Sequence, residues 1–401
     1  EEVNNHVHTI YSFSPYSPTY AAFMARLSGL AAVGSVDHDS IAGAEEMMSA
    51  GKILDLGTTV GCELRVNFNG TSVEGRKLNN PDSVNIAYMV LHGVPSPKIG
   101  EAAYFLVPIH EARNRRNRAQ VERLNEILDS IALPRLDFES DVAAISMARA
   151  GGSITERHIL YALSRTIMGQ VEPGPSLLEF VREKLNVAVP AAVASFLEDP
   201  SNPHYVYDLL GVLKSSFLPE FFIQPNEEEC ISVYTVVEFA NSIGALPSYA
   251  YLGDITESPT GDKKAEKFED DYLDELMPEL KRIGYRSVTY MPPRNSVEQL
   301  RRVQRLCTEH GLMEISGVDI NSSRQSFRCP EVREPEFRHL FESTWALIAH
   351  EKLSSCDPRY GLFSPDNPFG ALPLAERIKE YSRIGQMIDR SRPEEACELV
   401  D

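Results

Sequence analysis

Short apolar runs alternate with helix-period stretches over the first hundred residues, and the alternation predicts a parallel α/β sheet, open or closed. Strands are expected at 3–9, 32–36, 58–68 and 86–92. Ser17-Pro18-Thr19 caps a helix running through 21–30, and a second helix at 42–50 is closed by Gly51. Residues 70–81 read as a polar loop. From Glu111 the pattern changes. Residues 113–129 form a strong helix, with Val121, Leu124, Ile127 and Leu128 as its apolar stripe. Helical pieces follow at 141–150, 155–169, 177–184 and 191–197, punctuated by Pro173-Gly174-Pro175, by residues 199–203 and by Pro225. Alternation resumes with helices at 233–243, 271–283 and 297–310 and strands at 245–252, 287–290 and 313–318.

The expected organisation is therefore a discontinuous barrel from 1–110 and 231–350, a helical insertion capping the substrate site over 111–230, and a tail over 351–401 packing on the barrel. The tail is rich in proline and charge and carries one helix near 374–388.

Composition narrows the partners. Of 401 residues, 43% are apolar and 24% charged, ordinary for a chain with a filled core. Against 39 basic groups stand 58 acidic ones, a net charge of −19, which argues against a nucleic-acid polymer or an anionic membrane as partner. No run is apolar enough to span a bilayer and no signal-peptide pattern opens the chain. Six dispersed cysteines without a Cys-x-x-Cys pair read as free thiols, so a cytoplasmic setting is expected.

The candidate chemistry sits where strands end. In His6-Val7-His8 the two imidazoles are two residues apart, so both face one side of an extended segment and can reach one ion. Asp37-His38-Asp39, Gly61-Cys62-Glu63 and Gly317-Val318-Asp319-Ile320-Asn321 each follow a short apolar run. Polar groups just after barrel strands are where such folds gather their chemistry. Aromatic side chains at Tyr11, Phe13, Tyr16, Tyr249 and Tyr251 are expected to pack, and Glu227–Glu229 and Glu269–Asp271 to be solvated runs or helix starts.

On these residues the chain resembles the PHP (polymerase and histidinol phosphatase) superfamily over 1–110 and about 231–325. The resemblance implies a distorted (β/α)7 barrel with a helical insertion, holding one to three divalent ions of zinc, manganese or iron. It assigns His6, His8, Glu63 and Asp319 to a first metal, Glu63 as a bridge to a second, and His38 to a third, with His92 as the histidine nearest the next ligand position. Glu63, His38 and Asp37 are the catalytic candidates. Within the superfamily the insertion is similar to that of small phosphoesterases acting on nucleoside mono- or bisphosphates. Its marks are the arginine-rich helix 113–123 and Thr155-Glu156-Arg157-His158, which is similar to a Thr-Arg-x-His signature except that arginine and histidine are adjacent. Arg116, Arg118, Arg157 and His158 are the implied grip on a second phosphate or a base.

Several ligand positions are substituted. Asn4 stands where the family often has Asp, Ser14 where it has His or Asp, Tyr249-Ala250-Tyr251 where it has a histidine, and Asn321 where it ends Asp-x-His. The expected function is hydrolysis of a small phosphorylated metabolite by metal-activated hydroxide. Its alternatives are a degenerate barrel serving as a ligand-binding or regulatory module, and a metal-dependent hydrolase of an amide.

Overall fold

The computed structural model describes residues 2–254 and 269–400. Seven strands lie in chain order in one sheet: β1 (Glu2–Val7), β2 (Leu30–His38), β3 (Gly57–Asn67), β4 (Ile86–His92), β5 (Leu246–Ala250), β6 (Ser287–Tyr290) and β7 (Met313–Ser316). All seven match strands expected from the apolar runs. The fully parallel pairing does not hold, because β4 runs antiparallel to both β3 and β5. The physical reason is the connection. A loop without a crossover helix joins Asn67 to Ile86, which pair directly, and such a return can only make an antiparallel neighbour.

The sheet curls until its two edges meet. Val7 bridges Ile320 in parallel, with His8 N–H donating to the Ile320 carbonyl at 2.9 Å and Ile320 N–H to the His6 carbonyl at 3.2 Å. Asn4 reinforces this seam: its Oδ1 accepts from Val318 N at 2.8 Å and His6 N at 3.0 Å, and its Nδ2 donates to the Val318 carbonyl at 3.1 Å. Close approach is possible because residue 317 is glycine. A Cβ there would lie 2.7 Å from the His6 nitrogen.

Helices α1 (Pro18–Leu27) and α2 (Ala44–Leu54) follow β1 and β2, Ser17 capping α1 as expected and α2 running past Gly51 to a left-handed Asp55. Next comes α3 (Ile99–Ser130), one unbroken helix with two partners. Ala102, Leu106 and Ile109 enter the barrel core, whereas Val121, Leu124 and Leu128 enter a second apolar cluster. The boundary expected at 111 thus falls inside a helix. That second cluster is built mainly by α4 (Glu156–Gln170), α5 (Pro175–Glu183), α6 (Ala191–Glu198), α7 (Tyr205–Ser216) and α8 (Leu218–Phe221). The last two were not anticipated; Gly211 and the aromatic residues of α7 depress helix propensity, and burial overrides it. The helix expected at 141–150 is instead a chain of short π and 3-10 turns.

Chain order then continues with α9 (Val233–Ile243), α10 (Leu273–Ile283), α11 (Val297–His310), α12 (Arg338–Cys356) and α13 (Leu374–Met387). Sequence pattern alone missed α12, because it is buried nearly all round and shows no polar stripe for a helical period to reveal. It carries the barrel past residue 350, where a tail was expected to begin. Its Trp345 is buried beside α13, whose Gly385 leaves no room for a Cβ against the Trp345 backbone. No helix among the described residues is long and apolar enough to cross a membrane.

Replacing Gly317 with alanine should push β7 away from β1. Thermal melting should show a loss of about 1–3 kcal/mol, the usual range for overpacking. An unshifted melting temperature would mean that the seam carries no strain-sensitive contact.

Candidate metal centre

Barrel closure brings strand ends distant in sequence to one point. Imidazole nitrogens of His6 and His8 and the carboxylate of Glu63 all lie within 4.8 Å of one another, and all three residues are buried. His6 Nε2 is 3.6 Å from Glu63 Oε1 and His8 Nε2 is 3.7 Å from Oε2. His38 Nδ1 approaches the same Oε2 at 3.0 Å, and its ring stacks on His8 with centroids 4.3 Å apart. From across the seam Asp319 Oδ1 reaches within 3.2 Å of His8 Nε2. Asn321 steadies that carboxylate, Nδ2 donating to Oδ1 at 2.8 Å.

Charges here are strongly coupled. Burial opposes ionisation of Glu63, but His6 and His38 outweigh it and hold the carboxyl well below its ordinary value. Asp319 is likewise held low against burial by His8, His6 and Arg157. Burial would lower His8, yet Asp319, Glu63 and Asp37 raise it. Burial, reinforced by His8, lowers His38.

The residues fit a divalent ion. His8 Nδ1 is buried without a hydrogen-bond partner, and its Nε2 faces only the carboxylates of Asp319 and Glu63, 3.2 and 3.7 Å away, a crowd of anionic oxygens around an imidazole that a shared cation would suit. Nitrogen and oxygen donors in this combination suit zinc, manganese or iron(II).

Other expected site residues lie elsewhere. His92 is on the antiparallel strand, so its end of β4 lies below the site: Val90 pairs with Glu63 and His92 with Leu246 at the start of β5. Its ring still acts electrostatically with His6 and Glu63, its Nε2 is buried without a hydrogen-bond partner, and burial takes its pKa down to about 3. Asp37 is a loop clamp, not a group poised in the cavity. It accepts from Thr9 N at 2.5 Å, Thr9 Oγ1 at 2.6 Å and Ser12 Oγ at 2.7 Å. His158 caps its own helix, Nδ1 accepting from Thr155 N at 3.0 Å, and burial with nearby Arg113 lowers its pKa to about 3. Arg118 is exposed, bonded to Glu139 at 2.7 Å and stacked on Phe138. Arg116 is buried and engaged by Glu156 at 2.5 Å and Glu229 at 2.6 Å. Only Arg157 of the four expected substrate contacts lines the cavity over the ligands.

That cavity encloses about 1120 Å³, counting its open mouth. Around His6, His38, Glu63 and Asp319 it is walled by Arg65, Arg113, Glu156, Arg157 and Lys214, with Tyr88, Phe222 and Tyr251 as aromatic surfaces. Arg65 could have been found, since it stands two residues after Glu63 on the same strand and so faces the same side. Glu229 could not. It reads as part of an acidic run but is buried at 2% exposure, with its carboxylate on Arg65 and Arg116. Glu269 stands at a helix start, as one of its two readings had it, just before the turn that leads into α10, but it is fully buried and accepts from the Tyr249 hydroxyl and the Leu252 and Gly253 amides, and burial raises its pKa to about 7. Asp254 pairs through backbone amides with Asp270 and does not join the converging ligands.

A scan against protein-family models and a search of curated proteins return no match. Solved structures do match. A protein from Bifidobacterium adolescentis, proposed to be a metal-dependent phosphoesterase, is 19% identical with a TM-score of 0.53, over 82% of this chain and 94% of that one. An amidohydrolase from Chromobacterium violaceum, solved with sulfate and no metal, is 15% identical with a TM-score of 0.54, over 85% and 96%. The likeness is one of fold: a distorted, PHP-like seven-stranded barrel that occurs among metal-dependent hydrolases.

Acid should destabilise the metal-free protein. Burial holds His92, His158 and His350 neutral, with pKa values of about 3, 3 and 4 against an ordinary 6.5. Below pH 6.5 the unfolded chain binds more protons, so stability present above that pH is lost as pH falls, by about 1.4 kcal/mol per unit for each such histidine. His8 is raised and acts oppositely, its contribution being lost as pH rises. His339 is raised as well, and both act mainly above pH 6.5; within the window Glu269, raised to about 7, and Glu351, also raised, oppose the three histidines. Three groups outweigh two, and melting temperature should drop between pH 6.5 and 4.5; a flat or rising profile would contradict the buried, neutral assignment.

Proposed function

We propose that this chain is a metal-dependent phosphoesterase acting on a small phosphorylated metabolite of nucleotide size. What carries this reading is the meeting, in one cavity, of the His6, His8, Glu63 and Asp319 donor set with two cationic side chains, Arg157 and Lys214, from helices α4 and α7. An amide offers nothing for two cations to neutralise, whereas a phosphate ester carries charge on its non-bridging oxygens.

His6, His8, Glu63 and Asp319 would hold the first ion, with Glu63 and His38 placed toward a second. Bound there, divalent ions supply an activated water and absorb charge on the phosphoryl oxygens. The protein's own groups do the rest. Glu63 stays ionised across the physiological range, and His38, held neutral, keeps a basic nitrogen at the ligand cluster. Arg157 lines the same cavity and acts electrostatically on Asp319, which supports its facing a phosphate bound there. Asp37 fixes the loop that follows the two histidines. Ser153 Oγ donates to the His38 carbonyl at 2.5 Å, so the segment before α4 braces the end of β2. Leu218, Phe222, Leu252 and Met291 give the cavity an apolar side that excludes water from a bound substrate.

Protein loaded with manganese or zinc should release inorganic phosphate from members of a phosphate-monoester panel. Chelation should abolish release and re-addition of the ion restore it. Replacing Glu63 with glutamine should remove bound metal, measured by elemental analysis, along with turnover. Replacing Arg157 with alanine should raise KM by about 10–100-fold, the loss of a charge-assisted contact. Metal-loaded protein that cleaves amides but no phosphate ester would overturn the proposal.

A further inference from the structure

Beside the ligand cluster lies a closed set of buried charges. Arg65, Arg113 and Arg116 face Asp39, Glu156 and Glu229. Of its three carboxylates, Glu156 is the one that lines the cavity. It accepts from Arg116 at 2.5 Å, from Arg113 at 2.8 Å and from Arg65 at 3.5 Å. Glu229 takes Arg116 at 2.6 Å and Arg65. Asp39 takes Arg113. Three positive groups meet three negative ones.

This changes what the arginines can do for a substrate. Arg65 and Arg113 line the cavity and, by residue type alone, suit a phosphate. Most of their donors already face carboxylates carried by the protein: Glu156 takes one from each, and Glu229 and Asp39 take others. We infer that Glu156 occupies the anion position of this wall, so that the substrate carries a single phosphate, held at the ligand cluster, and a second phosphate is excluded. The inference rests on the phosphoesterase reading and deepens it. It also reverses the expectation that the basic helix would grip a second phosphate.

The physical argument is one of like charges in a buried place. A phosphate carries about −1.5 to −2 near neutral pH. Brought against Arg65 and Arg113 it would lie beside the Glu156 carboxylate, where little solvent screens the repulsion. Swinging Glu156 away would break its bonds to three arginines and leave three buried cations facing only the two carboxylates of Asp39 and Glu229. Arg157 and Lys214 line the same cavity, with His6, Glu63 and Asp319 of the ligand cluster. The rest of the substrate then meets Tyr88, Phe222 and Leu218, surfaces suited to a neutral or aromatic group.

The test compares adenosine 5′-monophosphate with adenosine 3′,5′-bisphosphate on the metal-loaded full chain. The monophosphate should have the higher kcat/KM by about tenfold or more, equivalent to about 1.4 kcal/mol. Glu156→Gln should shrink that preference by about tenfold, and Glu156→Asp should retain it. A wild-type preference for the bisphosphate, or a ratio unmoved by Glu156→Gln, would overturn the inference and leave the phosphoesterase reading standing. Should circular dichroism show that Glu156→Gln does not fold, wild-type inhibition decides. Weaker inhibition of p-nitrophenyl phosphate hydrolysis by the bisphosphate than by the monophosphate supports the inference, and equal or tighter inhibition overturns it. Failure to hydrolyse any phosphate ester would instead overturn the phosphoesterase reading itself, and this inference with it.

Discussion

Everything at the site depends on closing the barrel between β1 and the segment after β7. Asn4 and the Val7–Ile320 bridge hold that seam, and Gly317 lets the two backbones approach. Without it His6 and His8 would have no carboxylate from the far end of the chain, since Asp319 reaches His8 only across this join. An amide at residue 4 suits the task. It both donates to and accepts from the backbone of residue 318, which a carboxylate could not do.

A second constraint ties the helical segment to the barrel. Buried ion pairs contribute little net stability once desolvation is counted, but they are unforgiving of a missing partner. The arginine–carboxylate set joins the residue after β2 (Asp39), β3 through Arg65, the middle of α3, the start of α4 and the chain just before α9. Several of these points lie one or two residues from metal-ligand candidates: Asp39 from His38, Arg65 from Glu63. The cavity wall and the ligand strands are therefore one mechanical unit, and Arg157 is presented to Asp319 by the same helix start that presents Glu156 to the arginines.

Much of this was readable from local pattern. Runs of four to eleven residues located all seven strands, because a strand buried on both faces writes a nearly continuous apolar signature. The spacing in His6-Val7-His8 placed both imidazoles on one face, and the polar residues after strands pointed to one end of a barrel. Misreadings share a cause. Asp37, Arg116 and His158 have the right chemistry for a site but spend it on Thr9, on Glu156 and Glu229, and on a helix cap. Glu229 and Glu269 sit in acidic runs, and nothing local distinguishes a buried carboxylate from a solvated one.

Sequence by itself determined the strand set, the donor types and the pair of histidines, since these follow from residue chemistry and backbone period. Tertiary structure decided which donors converge and which are consumed. The antiparallel β4 put His92 below the site, seam closure delivered Asp319 to His8, and the folded helices set Glu156 among three arginines. Those outcomes depend on contacts between residues tens to hundreds of positions apart, whose partners no local periodicity encodes.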